Sequence, residues 1–155
     1  MAHVRLTRRQ VLGALVASVL LPAINTSHAA ADVPERLQSL IYEVTGSVIP
    51  TVGKVKLTLP PLAESGNSVP LKIQIESPMT AEEYVKSIHV FSEKNPRPVI
   101  ARFHLSPQTG KAEINTRIRL AGTQHVLAVA IMSDGSAWLG STEVVVTAAA
   151  CIDEK

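Results

Sequence analysis

The chain has 155 residues, with 15 Lys and Arg against 13 Asp and Glu, 46% hydrophobic residues and one cysteine. A formal net charge of +2 excludes a strongly basic nucleic-acid binder, and a lone cysteine excludes an internal disulfide framework.

The first stretch of about thirty residues reads as an address and not as fold. Arg5, Arg8 and Arg9 precede an uncharged apolar run from Val11 to Ile24, after which small residues follow. The pair Arg8-Arg9, between Thr7 and Gln10-Val11-Leu12, has the form of a twin-arginine export signal, which is read by a receptor that passes folded proteins. An ordinary secretory start also carries a basic pair, and either route exports the chain. The apolar run is shorter than the roughly 18 to 20 residues of a membrane span, and Pro22 and Asn25 interrupt its end. Small residues at Ser27, Ala29 and Ala31 place cleavage so that the mature chain begins near Ala30 or Asp32. The expected layout is a twin-arginine signal over 1–31, one domain over 32–147 and a C-terminal arm over 148–155, in a protein of the periplasm. Loss of Arg5, Arg8 and Arg9 leaves 12 basic residues against 13 acidic, a net charge of −1.

The mature chain, long enough to bury a core without staples, opens on a helix. Pro34 stands at an N1-like position, Leu37, Leu40, Ile41 and Val44 follow at helical spacing, and Gly46 closes the run. This helix is expected to pack on the end of the domain. From Gly53 the period becomes two, with Val55, Leu57 and Leu59 alternating against Lys54, Lys56 and Thr58. After the turn-rich Glu64-Ser65-Gly66-Asn67-Ser68 the alternation resumes at Leu71, Ile73 and Ile75. Further strands are expected over Ile88–Phe91, Val99–Leu105, Ala112–Leu120, Val126–Ser133 and Leu139–Thr147. Breaks at Asn95-Pro96, Thr109-Gly110, Gly122 and Asp134-Gly135 separate them. Thr80 with Glu83 three residues on predicts one helical turn before Ile88. About seven short strands with such breaks predict an all-β, immunoglobulin-like antiparallel sandwich with a short N-terminal helix and a mobile C-terminal arm. There is no room for the crossover helices of a parallel α/β fold.

The residues available for chemistry are few. A hydrolase needs nucleophile, base and orienting acid together, and no Gly-x-Ser-x-Gly elbow is present. His89, His104 and His125 lie in or beside predicted strands, and alternation puts His89 and His104 on outward positions, as structural or surface residues. No His-x-His or Cys-x-x-Cys spacing supports a metal site, and no phosphate loop or dinucleotide fingerprint is present, so neither metal nor cofactor is expected. The thiol of Cys151 remains. A free cysteine is most often a small buried hydrophobe, but one followed only by Ile152-Asp153-Glu154-Lys155 sits where chains are commonly exposed.

Several segments together resemble the SoxY family, the sulfur-carrying subunit of the periplasmic thiosulfate-oxidation (Sox) system. They are Ala63-Glu64-Ser65-Gly66-Asn67-Ser68-Val69-Pro70-Leu71, Ser77-Pro78-Met79-Thr80, Asn95-Pro96-Arg97-Pro98, Ala101 to Pro107, Thr116-Arg117-Ile118-Arg119-Leu120-Ala121 and Met132-Ser133-Asp134-Gly135. The resemblance implies an immunoglobulin-like domain paired as a heterodimer with a second β-sandwich subunit, SoxZ, and a C-terminal arm whose cysteine holds sulfur covalently. It implies that Cys151 is the attachment site and that the chain is a substrate holder and not an enzyme. A c-type cytochrome enzyme would conjugate thiosulfate to the thiol, and a hydrolase would release sulfate.

The family's arm ends Gly-Gly-Cys-Gly-Gly, whereas this chain reads Ala148-Ala149-Ala150-Cys151-Ile152-Asp153-Glu154-Lys155. The cysteine transfers by position and the glycines do not. Ala restricts the turns glycine allows, and Ile152, branched at Cβ, stands where a narrow partner channel would expect glycine. From Thr147 the arm can reach about 13 Å to Cys151 when extended. Asp153, Glu154 and the terminal carboxylate are expected to raise the thiol pKa. The same departure supports an alternative, a diverged subunit that keeps the partner surface and no longer carries sulfur.

Overall fold

In the computed structural model residues 33–150 are described, so the expectations on residues 1–31, with Arg8 and Arg9, and on Cys151 fall outside them. Helix α1 spans Glu35–Thr45. Nine strands follow: β1 (Thr51–Val52), β2 (Val55–Thr58), β3 (Leu62–Ser65), β4 (Val69–Ile75), β5 (Val85–Ser92), β6 (Val99–His104), β7 (Glu113–Ile118), β8 (Gln124–Met132) and β9 (Ala137–Ala148). The larger sheet runs β1-β9-β8-β5-β6, with β3 also on the edge of β9, and faces a smaller sheet β2-β4-β7. This is the all-β sandwich expected from the strand spacing.

Among the described residues there are two strands more than the roughly seven predicted. β1 and β3 are two and four residues long, too short for a periodic pattern, and both pair with β9 in parallel. β3 takes in Glu64 and Ser65, which the turn-rich composition had placed in a loop.

Period-two burial builds the interior. Val69, Leu71, Ile73 and Ile75 of β4 point inward and meet Ile88 and Val90 of β5 and Val126, Ala128 and Ala130 of β8. Each fully buried Val, Leu or Ile side chain of this set contributes about 1.5 to 3 kcal/mol. β5 and β8 are buried on both faces, because α1 lies on the outer face of the larger sheet and does not cap an end. Leu37 and Ile41 pack there against Phe91, Leu127, Val129 and Leu139. Pro34 occupies the N-cap and not N1, with ψ 134° before the helix begins, and Gly46 ends the helix at φ 63°, its N–H donating to the Tyr42 carbonyl.

The helical turn expected after Thr80 does not form. Thr80 Oγ1 does accept the Glu83 N–H at 3.1 Å, but the Thr80 N–H donates to the Glu83 carbonyl at 2.9 Å. That second bond folds the segment back on itself in bends, leading directly into β5. One half of the expected capping pattern forms, Glu83 N–H to Thr80 Oγ1, while the reciprocal side-chain bond and the helix do not.

Candidate functional site

The end of β9 is where the chain leaves the sheet toward its only thiol. β3 lies along β9 in parallel here, with Leu62 beside Val145, Ala63 beside Val146 and Ser65 beside Ala148. Thr147 Oγ1 donates to the Glu64 carbonyl at 2.7 Å. Gly66 N–H donates to the Ala148 carbonyl at 2.7 Å, Leu120 N–H to the Gly66 carbonyl at 2.9 Å, and Ala150 N–H to the Leu120 carbonyl at 3.0 Å. Residues 147–150 are thus held along a socket made by Glu64–Gly66 on one side and Leu120 on the other. Cys151 follows Ala150 in sequence.

Glycine is required at 66 for space. A Cβ there would overlap the Leu120 carbonyl oxygen and lie 3.1 Å from the Ala150 nitrogen. Only a bare backbone lets three chain segments meet at this point.

The Leu120 side of the socket is fixed by a buried polar hub. Asn95 and Gln124 are 5% and 2% exposed, low enough that each polar atom needs a partner inside the protein. Asn95 Nδ2 donates to the Arg119 carbonyl at 2.8 Å, while its Oδ1 accepts from Ala121 N–H at 2.9 Å and from Gln124 Nε2 at 3.2 Å. Gln124 Oε1 in turn accepts from the Ser92 hydroxyl and from Lys94 N–H. Asn95 therefore grips the backbone on both sides of Leu120. Thr123 Oγ1 accepts Val146 N–H at 3.0 Å, tying the same loop to β9. From the other direction, the Arg36 guanidinium of α1 donates to the carbonyls of Glu93, Asn95 and Pro96 at 3.1 to 3.4 Å.

Three of the segments singled out in the sequence, Ala63–Leu71, Asn95–Pro98 and Thr116–Ala121, meet at this socket. Met132–Gly135 lies at the opposite end of the sheet, beside the chain that leads into β5. There the Ser133 hydroxyl accepts Tyr84 N–H and donates to the Glu82 carbonyl. The sequence marks Asn95 as a strand break and as part of a family-like segment but gives its side chain no role, and it does not single out Gln124. A detectable signal was Ser92 three residues before Asn95, a local turn in which Ser92 Oγ accepts the Asn95 N–H at 3.3 Å.

The histidines do not assemble into a site. His89 faces outward from the sheet as alternation predicts, yet it is buried at 9% exposure, because its neighbours on that face, Phe91 and Val129, are covered by α1. Its Nε2 is 3.2 Å from Ser87 Oγ, and its Nδ1 has no hydrogen-bond partner among the described residues. Burial first, then the positive Arg102 opposite it and His104 nearby, lower its pKa. His104 is exposed on the edge strand β6, and His125 at the other end lies 3.4 Å from Glu93. No group of three or more His, Cys, Asp or Glu among the described residues could hold a metal ion.

A comparison with curated protein sequences returned no match. Among solved structures, the sulfur carrier protein SoxY from Chlorobium limicola f. thiosulfatophilum superposes with a TM-score of 0.61 at 27% identity, over 72% of this chain and 96% of that one. The superoxide reductase (neelaredoxin) of Ignicoccus hospitalis superposes with a TM-score of 0.54 at 14% identity, over 61% of this chain and 80% of that one, a likeness of fold alone. The model of the family described as sulfur oxidation protein SoxY matches residues 41–151, from the middle of α1 through the socket to the cysteine, and the chain belongs to that family.

Proposed function

We propose that this protein is a non-catalytic carrier that holds sulfur covalently on Cys151 during thiosulfate oxidation in the periplasm, after twin-arginine export directed by Arg8 and Arg9. The observation that carries the reading is the socket. Three sequence segments typical of the family converge to hold the chain at Ala150, one residue before its only thiol. Membership in a family whose matched region ends on that residue supports it.

In the carriage step the Cys151 thiolate and the outer sulfur of thiosulfate form an S–S bond. Two electrons leave to a c-type cytochrome enzyme, giving Cys151–S–S–SO3⁻. Water then attacks the sulfone sulfur in a partner hydrolase. The S–SO3 bond breaks, sulfate and two protons depart, and a persulfide anion stays on Cys151. The carrier contributes only the thiol and its placement, so it needs no cofactor.

A SoxZ-like subunit is the proposed partner of a heterodimer. Leu62 and Val145 lie side by side on the β3–β9 edge at 54% and 43% exposure, an apolar pair that a second subunit could cover. Replacing Cys151→Ser in cells tests the carrier reading, with loss of thiosulfate oxidation expected. Unchanged oxidation would favour the second reading, a diverged subunit without carriage, for which the alanines and Ile152 around the thiol speak.

A further inference from the structure

We infer that residues 148–150 form a main-chain latch that sets the reach of Cys151, and that Gly66 and Asn95 are positioning residues for the thiol. The inference rests on the carrier reading of Cys151 and adds how the thiol is presented. Ala148 is registered against Ser65, its carbonyl accepts the Gly66 N–H, and Ala150 N–H reaches the Leu120 carbonyl. None of these three alanines has positive φ, so the docked path needs no left-handed backbone of the kind that favours glycine. Ala148 and Ala149 are exposed and Ala150 is half-buried, so main-chain bonds and not side-chain burial do most of the holding.

Two consequences follow. With the latch closed, the Ala150 nitrogen is a fixed backbone atom one residue before the thiol in sequence, and one residue of chain spans about 3.5 Å. With residues 148–150 released, the same thiol can travel about 13 Å from Thr147. Reach is therefore governed by whether the Ala150 to Leu120 bond is made. The alanines bias this equilibrium toward the closed state, because an Ala chain has fewer released conformations to lose on docking than a Gly chain. Asn95 controls the same bond from the other side, since its amide fixes Arg119 and Ala121 around the Leu120 carbonyl. Gly66 provides the space in which the two segments meet.

Hydrogen exchange of the Ala150 amide in the purified full chain reads the latch directly, with the Val129 amide in the central strand β8 reporting global opening. Ala150 is expected to be protected well above an exposed tail amide. The variant Ala148→Gly with Ala149→Gly removes no buried side chain and should speed Ala150 exchange roughly 4- to 30-fold, after correction for intrinsic rates, with Val129 unchanged. Asn95→Asp, which loses the donor to Arg119, should speed Ala150 exchange at least as much. It should also speed alkylation of Cys151 by a bulky thiol reagent more than by a small one. Exchange of Ala150 at the rate of an exposed tail, or variants that move Ala150 and Val129 together, would overturn the latch. Sulfur loading of Cys151, measured on the same samples, separates the two ideas. A loaded thiol beside a freely exchanging Ala150 defeats the latch alone, and a protected Ala150 beside a thiol that never loads leaves the latch standing and defeats the carrier.

Discussion

Substituting Gly66→Ala puts one methyl group at the most crowded point of the socket. The added Cβ would overlap the Leu120 carbonyl oxygen and lie 3.2 Å from its carbon and 3.1 Å from the Ala150 nitrogen, all backbone atoms with no rotamer to escape into. Either β3 or the loop carrying Leu120 must move, and three hydrogen bonds depend on their present spacing: Gly66 to Ala148, Leu120 to Gly66 and Ala150 to Leu120. At about 0.5 to 1.5 kcal/mol each, their loss costs roughly 2 to 4 kcal/mol. Urea unfolding monitored by Trp138 fluorescence measures this, and for a domain of this size it corresponds to a fall in Tm of about 10 °C. A change below about 0.5 kcal/mol, the range of an innocuous surface substitution, would refute the close approach of the three segments.

His89 predicts a pH dependence. Its pKa is lowered in the fold, by burial first and then by Arg102 and His104, so on acidification the unfolded chain takes up this proton before the folded one does. Its contribution to stability is complete above the unfolded value of about 6.5 and declines as pH falls from there toward the folded pKa. Chemical unfolding at about pH 7.5 and pH 5 should therefore show a loss of stability that is smaller in His89→Gln, and equal losses in the two proteins would contradict it. Placing charge on the β3–β9 edge with Leu62→Glu or Val145→Glu, made singly because two carboxylates at these opposed positions would repel, should leave stability within about 0.5 kcal/mol, since each side chain is exposed. It should weaken co-purification with a SoxZ-like subunit, and undiminished pairing would move the partner surface elsewhere.

Much of the sandwich was legible because half-buried strands write their pattern directly. The alternation through Leu71, Ile73 and Ile75 is the inward face of β4, and Pro34 to Gly46 brackets α1 to within a residue. What escaped were features that leave no periodic trace. β3 has four residues with exposed Leu62, Glu64 and Ser65, and its place is set by parallel pairing with β9, some eighty residues later in the chain. The burial of His89 depends on where α1 lies, which the helix's own apolar stripe does not specify. The socket was harder still, because most of its bonds join backbone groups that every residue carries. Only Gly66 and Asn95 betray it, and each also reads as an ordinary turn residue.

Whether the thiol after Ala150 carries sulfur is decided by mass spectrometry of the purified protein, incubated with a SoxZ-like subunit, thiosulfate and a cytochrome conjugating enzyme. The expected result is a thiosulfate-derived group on the peptide containing Cys151, removed by a thiol reductant and absent from Cys151→Ser. An unmodified Cys151 peptide, under conditions that load a glycine-flanked carrier in parallel, would contradict it.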